Sequence, residues 1–380
     1  VRILFLTHRL PYAPNRGDRI RAYHIMRVLA RDHDFEVVSL VHDEEESQRA
    51  DDVRAIASRL DCAKVPKYRN HARAALALPT ATPLTHVLLS SPDLPPILRR
   101  AANRKPDVVL AYCTGMAQYA LQEPLRRIPF VLDMVDVDSE KWNQLAEDAP
   151  LPLKWIYRRE HVMMRRFERN AARAASATTV VAERERHLID GLDSQIRAHV
   201  IPNGIDLRSF APAGEAAPSA EVVFCGVFDY EPNARGAVWL AEQVWPLVRQ
   251  RRPEARLTLV GMNPSRAVSA LGRDPSITVT GSVPDVRPYL WRAALAVAPL
   301  QVARGLQNKV LEALAAGLPC VVTTDVFDGL PDAVKAGCTN ASTAAGFADA
   351  IVELLGKDPG GRRAKADKAQ LKQQTKEKQN

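Results

Sequence analysis

Ala303-Arg-Gly-Leu-Gln-Asn-Lys-Val-Leu-Glu-Ala-Leu-Ala-Ala-Gly-Leu-Pro319, followed by Cys320-Val-Val-Thr-Thr324, reads as loop, helix, Gly-Pro turn and strand. The apolar run Leu295–Pro299 before it reads as another strand. Strand, crossover helix and strand make a βαβ unit, which demands a parallel sheet. Within it, Gly305 is expected at the helix start, where free N–H groups favour an anion. Lys309 and Glu312 follow four and seven residues on, so all three share one helix face. A cation and a carboxylate beside an anion-binding helix start suit a nucleotide diphosphate: Lys309 neutralises phosphate and Glu312 accepts from ribose hydroxyls. A solvated Lys-x-x-Glu pair on an amphipathic helix has the same spacing, so these residues alone leave both readings open.

The same rhythm runs outward in both directions. Strands are expected at Arg2–Leu6, Glu36–His42, Asp107–Tyr112, Phe130–Asp133 and Ala177–Val181, and again at Glu221–Gly226, Arg256–Val260, Ile277–Gly281 and Cys320–Thr324. Helices fall between them, among them Asp18–Arg31, Glu45–Leu60, Asn233–Arg251 and an Arg-rich one near Lys154–Ala175. The Pro/Gly/Ala/Ser stretch 211–220 reads as a linker. The expected domains are therefore 1–210 and 221–356, two Rossmann-like sheets whose carboxyl-end loops face a central cleft. The Lys/Gln-rich tail 357–380 is expected to be disordered or a frayed helix.

The chain has 380 residues, 46% hydrophobic and 25% charged, with a formal charge of +8. This suits a large soluble core and leaves nucleic acid, an anionic membrane face and phosphorylated substrates all compatible with the basic surface. Cys62, Cys113, Cys225, Cys320 and Cys338 form no C-x-x-C pair, which argues against structural zinc or a disulfide framework. Val1–Thr7 reads as a strand and not as a leader, and no apolar run is long enough to span a bilayer, so a cytoplasmic protein is expected.

The segment around Glu312 resembles the donor-site signature of the retaining family 4 glycosyltransferases of GT-B fold, in which a Glu-x7-Glu motif leads into Glu-Ala-Met-Ala-x-Gly-x-Pro-Val-Val. Here Glu312 opens Glu-Ala-Leu-Ala-Ala-Gly-Leu-Pro-Cys-Val-Val, and the first Glu of the motif falls on Arg304. The sequence Arg-Gly-x-Gln-Asn-Lys-Val-Leu-Glu is similar to that of the exopolysaccharide-associated sugar transferases of PEP-CTERM systems. Val200-Ile-Pro-Asn-Gly-Ile-Asp206 and Phe224-Cys-Gly-Val-Phe-Asp-Tyr-Glu-Pro-Asn233 are further similarities. The resemblance covers roughly residues 2–356.

It implies a hexosyltransferase-type enzyme taking a nucleotide-sugar donor and a glycan or lipid-linked acceptor, without metal, cofactor or protein nucleophile. It also implies work at the inner membrane face with no nucleic-acid partner. The donor-binding residues it implies are Gly17, Gly226, Arg235, Gly305, Lys309 and Glu312, with Asp136 and Arg304 at the catalytic centre. Asn233 stands where the wider family has a phosphate-binding lysine. Asp133 and Asp136 are expected as acceptor-side groups; metal ligation by Asp133, Asp136 and Asp138 fits oxygen-ligand spacing only loosely. A nucleotide-sugar epimerase of the same shape and a non-catalytic nucleotide-sugar binder are the competing readings. A dinucleotide oxidoreductase is disfavoured, since no G-x-G-x-x-G follows the first strand.

Overall fold

The computed structural model describes residues 1–12, 17–205, 207–212, 219–303 and 306–377. The chain divides into two units, Val1–Pro202 and Asn203–Asn380. In the first, β1 (Arg2–Thr7), β2 (Asp34–Val41), β3 (Arg59–Lys64), β4 (Val108–Tyr112), β5 (Phe130–Val135), β6 (Ala177–Val180) and β7 (Ala198–Val200) form one sheet in the order β3-β2-β1-β4-β5-β6-β7. In the second, β8 (Glu221–Cys225), β9 (Arg256–Val260), β10 (Ile277–Val279), β11 (Leu295–Ala298), β12 (Cys320–Val322) and β13 (Cys338–Asn340) follow the order β10-β9-β8-β11-β12-β13. The strand pairs are parallel in both sheets.

Alternation along the strands sends side chains to opposite faces, and helices cover both. Ile3 and Phe5 join one core with Phe35, Val37 and Met26, while Leu4 and Leu6 join the other with Val38, Leu40 and Val109. Strand order reverses between β1 and β4 in the first sheet and between β8 and β11 in the second. A ligand crevice is expected outside the carboxyl ends at such a point.

Several sequence expectations give way. Glu45–Leu60 is not one helix: short helices at Glu44–Gln48 and Ala50–Arg54 lead into β3. β3, β7 and β13 had no strand signal; all three are edge strands, paired on one side only, and β3 carries charged residues at half its positions, whereas the edge strand β10 kept the alternating Ile277 and Val279 that marked it. The expected helix Asn233–Arg251 is interrupted by a π-helical turn at Leu240–Val244, just before Pro246, which has no N–H to donate.

The domain boundary lies earlier than residue 210. Arg287 Nη1 donates to the Ser209 carbonyl (3.2 Å) and Trp291 Nε1 to that of Phe210 (2.8 Å), which binds this segment to the second unit. Residues 213–218 of the expected linker lie outside the described residues. The tail is also different from its expectation. A helix runs from Pro359 to Glu377 and buries Ala366 and Ala369 against the second unit's core. Two small apolar residues three apart gave too weak a periodicity to mark that face.

One buried ion pair ties the first unit's elements together. Arg21, on the helix Gly17–Leu29, donates to Asp133 of β5 (2.8 Å) and to the Ile201 carbonyl (2.6 Å). Asp133 is therefore a structural carboxylate and not an acceptor-side group. Arg21→Met should cost about 3–5 kcal/mol, because it strands a buried charge. Urea unfolding measures this, and Arg21→Met/Asp133→Leu should recover part of the loss. A single-variant cost below about 1 kcal/mol, the range of an exposed pair, would show that the site is open to water.

Candidate functional site

In the second unit the chemistry gathers at the β8/β11 switch point. The loops after β8 and β9 touch through backbone: Gly226 N–H donates to the Val260 carbonyl (2.9 Å). Gly261 has φ +154°, and a Cβ there would stand 1.6 Å from the Gly226 oxygen, so only glycine fits. The helix Glu231–Trp239 then presents Asn233 inward. Its Nδ2 donates to the Val227 carbonyl (2.9 Å), and a Cβ on Gly226 would sit 3.1 Å from its side chain. Gly226 thus leaves the room that Asn233 occupies.

Lys309 approaches from the other side of the switch point. It lies in the first turn of the helix Asn308–Ala315, after β11, and donates from Nζ to Asn233 Oδ1 at 2.6 Å. The ammonium also stands 4.9 Å from the centroid of the buried Phe224 ring, within cation–π range. Burial lowers the Lys309 pKa to about 8, against the pull of Cys225 and Glu312 toward a charged ammonium. Burial raises the Glu312 carboxyl above its usual value, with Lys309 opposing, and lifts the Cys225 thiol to about 12. An ammonium has three donors and one is spent on Asn233, so Lys309 keeps capacity for an anion. Glu312 has no described side-chain hydrogen-bond partner.

Lys309, Glu312 and Gly226 are thus brought to one strand end. Arg235 is not. It is exposed on the helix Glu231–Trp239, two residues and therefore about 200° round the axis from Asn233. Arg304 and Gly305 lie outside the described residues, and the helix expected to start at Gly305 is described from Asn308. Sequence reasoning noted Asn233 only as a missing lysine and missed Phe224 and Gly261. Gly261 had a readable signal, a glycine closing the apolar run Arg256–Val260.

In the first unit, β5 ends on Val135 at φ 63°, a rare conformation for a β-branched residue. Asp136 follows, exposed at the turn. Two buried carboxylates hold the backbone just after it. Glu185 Oε2 accepts from Val137 N–H (2.8 Å) and Glu168 Oε1 from Ser139 N–H (3.0 Å). Burial raises Glu168 to about 8, with the Asp138 charge adding to it, and raises Asp138 to about 6. Gly17 opens the helix Gly17–Leu29. In the basic first loop, Arg9 is paired with buried Glu46 (2.8 Å) and Arg16 lies outside the described residues. Among the described residues, no group of three His, Cys, Asp or Glu is placed to hold a metal ion.

Residues 17–204 match the model of the glycosyl transferase 4-like domain, and residues 219–357 that of glycosyl transferases group 1. Comparison with curated proteins gives no match. Among solved structures, Anabaena Alr3699/HepE in complex with UDP is similar at 14% identity and a TM-score of 0.66, over 98% of this chain and 94% of that one. WaaG, a glycosyltransferase involved in lipopolysaccharide biosynthesis, is similar at 15% identity and 0.62, over 97% and 94%. An S. aureus TarM variant in complex with Fondaparinux, alpha-GlcNAc-glycerol and UDP is similar at 10% identity and 0.67, over 99% of each chain. These structural likenesses are of fold, and the fold is GT-B.

The Asp136 turn has a pH signature. Glu168 is raised from 4.5 to about 8 on folding, so the folded state binds the extra proton between those values. Its contribution is complete below the unfolded pKa and is lost as pH rises through the folded one. Urea stability should fall from pH 5 toward pH 8.5, and Glu168→Gln should flatten the fall. An unchanged slope in the variant would remove Glu168 as its source.

Proposed function

Because this chain belongs to the glycosyltransferases of GT-B fold, we infer that it moves a sugar from a nucleotide-sugar donor to a glycan or lipid-linked acceptor, with retention, in cell-surface polysaccharide assembly. The observation that carries the donor site is the Lys309 ammonium fixed 2.6 Å from Asn233 at the strand-order switch. A nucleoside diphosphate leaves with negative charge growing on its terminal phosphate. A cation held in place before the reaction stabilises that charge with no reorganisation at the moment of transfer. Lys309 takes this role, and Glu312 accepts from the ribose hydroxyls.

Asp136, exposed on its clamped turn, is the acceptor-side group. No protein nucleophile is assigned, since in retaining enzymes of this kind the diphosphate oxygen assists the incoming hydroxyl. UDP-sugars are the first donors to test, because Anabaena HepE and S. aureus TarM were solved with UDP. With Lys309 supplying the phosphate cation, transfer proceeds without metal. No helix among the described residues is long and apolar enough to cross a membrane. The chain then meets a lipid-linked acceptor from the cytoplasmic side, at the membrane surface.

A donor-turnover screen with UDP-, GDP- and ADP-sugars, with and without lipid-linked glycan, tests the reading. Lys309→Met should weaken nucleoside-diphosphate binding about ten- to a hundred-fold, the range of one charge-assisted hydrogen bond. Glu312→Ala should raise the donor KM, and EDTA should leave transfer intact. Unchanged diphosphate affinity in Lys309→Met, or a loss on chelation restored by Mn²⁺, would sink this account of the donor site.

A further inference from the structure

The helix Lys67–Ala77 of the first unit is amphipathic in the unusual sense. Its inward face carries Asn70, fully buried, whose Nδ2 donates to the carbonyls of Leu88 (3.1 Å) and Ser90 (2.8 Å), together with Ala74. Its outward face carries Tyr68, Ala72 and Leu76 at four-residue steps, which form one stripe along the helix. Tyr68 is 94% exposed and Leu76 78%. A soluble helix normally turns such a stripe to the core. Here the polar side chain is inside and the apolar stripe is outside.

A second exposed apolar group adjoins it. Arg159 of the helix Leu153–Ala174 donates from Nε to the Leu78 carbonyl (2.8 Å) and from Nη2 to those of Ala77 (3.2 Å) and Thr82 (2.8 Å). Glu160 accepts from the N–H groups of Leu84 (2.8 Å) and Thr85 (2.9 Å). The start of the long helix is therefore fastened to the end of the short one. Trp155 is one turn before Arg159 on the same face, 57% exposed, and Leu151 just ahead of the helix is 80% exposed. Leu151 and Trp155 thus lie at the start of the helix whose Arg159 holds the end of the short one.

Charge sets this surface apart from an ordinary sticky patch. From Cys62 to Pro92 the chain has no Asp or Glu but has Lys64, Lys67, Arg69 and Arg73. Lys67, Arg69 and Arg73 are exposed on the same short helix as the stripe. Arg158 adds an exposed cation near the start of the long helix, where Lys154 donates to the Glu147 carbonyl (3.3 Å). Glu147 and Asp148 precede it in sequence, so the contrast rests mainly on the short helix. Apolar and aromatic tips among lysines and arginines fit the interface of an anionic bilayer, where rings sit at headgroup depth and long cationic stems reach lipid phosphates.

We propose that the helix Lys67–Ala77 and the Leu151–Trp155 junction form the face by which this chain docks on an anionic phospholipid bilayer. The proposal relies on the transferase reading only for why an acceptor would be met there. It moves the contact away from the Arg-rich stretch 154–175 as a whole. Along that helix Arg159 is engaged with carbonyls, Arg165 donates to the Gly191 carbonyl (3.1 Å) and Arg173 is paired with Asp193.

Co-sedimentation of the full chain with vesicles tests it. Binding should be strong to phosphatidylglycerol–phosphatidylcholine vesicles and weak to phosphatidylcholine alone. It should fall sharply near 1 M salt, where the Debye length is about 3 Å. Lys67→Gln/Arg69→Gln should lower the partition coefficient about twenty-five-fold, roughly five-fold for each charge. Tyr68→Ser/Leu76→Ser/Trp155→Ser should lower it at least about ten-fold, by analogy with lost apolar burial. UDP affinity, read in the second unit, should be the same in every variant.

Equal binding to neutral vesicles, or wild-type binding by the serine variant, would overturn the proposal. So would sedimentation velocity showing that the stripe joins two copies of the chain instead. Vesicle binding with no donor turnover would sink the transferase reading alone, whereas turnover without vesicle binding would sink the docking face alone.

Discussion

The ammonium of Lys309 sits where burial opposes its charge, and three elements converge to keep it there. β8 supplies the Phe224 ring beneath it, the helix after β8 supplies the Asn233 oxygen, and the helix after β11 supplies the lysine. None of these contacts forms without the strand-order reversal that sets β8 beside β11. A cation with its pKa lowered to about 8 is balanced near physiological pH. An incoming diphosphate would restore the Coulomb partner that burial withholds. The lysine is thus only partly satisfied by the protein, which leaves room for the anion of the proposed function.

The surrounding glycines serve the same end by absence. Gly261 lets the loops after β8 and β9 meet through backbone alone, and Gly226 leaves space for the Asn233 amide. In the first unit the equivalent precision is reached with charge. Glu168 and Glu185 grip the N–H groups of Ser139 and Val137 just after Asp136, and the Arg21–Asp133 pair holds β5 before it. Each unit therefore fixes a polar group at a strand end, one by shape and one by buried carboxylates.

Much of this was legible in the sequence, and the failures have physical reasons. Apolar runs marked the buried central strands, and the spacing of Lys309 and Glu312 marked a shared helix face. Three of the four edge strands, β3, β7 and β13, were silent, since half-exposed strands need no apolar run, while β10 was marked by Ile277 and Val279. Arg235 was read as a phosphate cation from its nearness to Asn233 in sequence, but two residues along a helix lie on opposite sides. Asn233 itself looked like a lost lysine. Its role emerges only when tertiary structure brings Lys309, 76 residues away, to its oxygen. The helix Lys67–Ala77 escaped notice for the opposite reason, since its apolar stripe faces outward.

The central claim is that Lys309 is the cation that receives the donor diphosphate, and the pH dependence of UDP affinity reads it most directly. Calorimetric titration of the 380-residue chain from pH 6.5 to 9 should show affinity falling as pH rises through about 8, where free Lys309 loses its proton. Lys309→Arg, which stays charged throughout, should bind UDP with no such fall. A wild-type affinity that stays level through pH 8, or a fall of the same size in Lys309→Arg, would contradict the account.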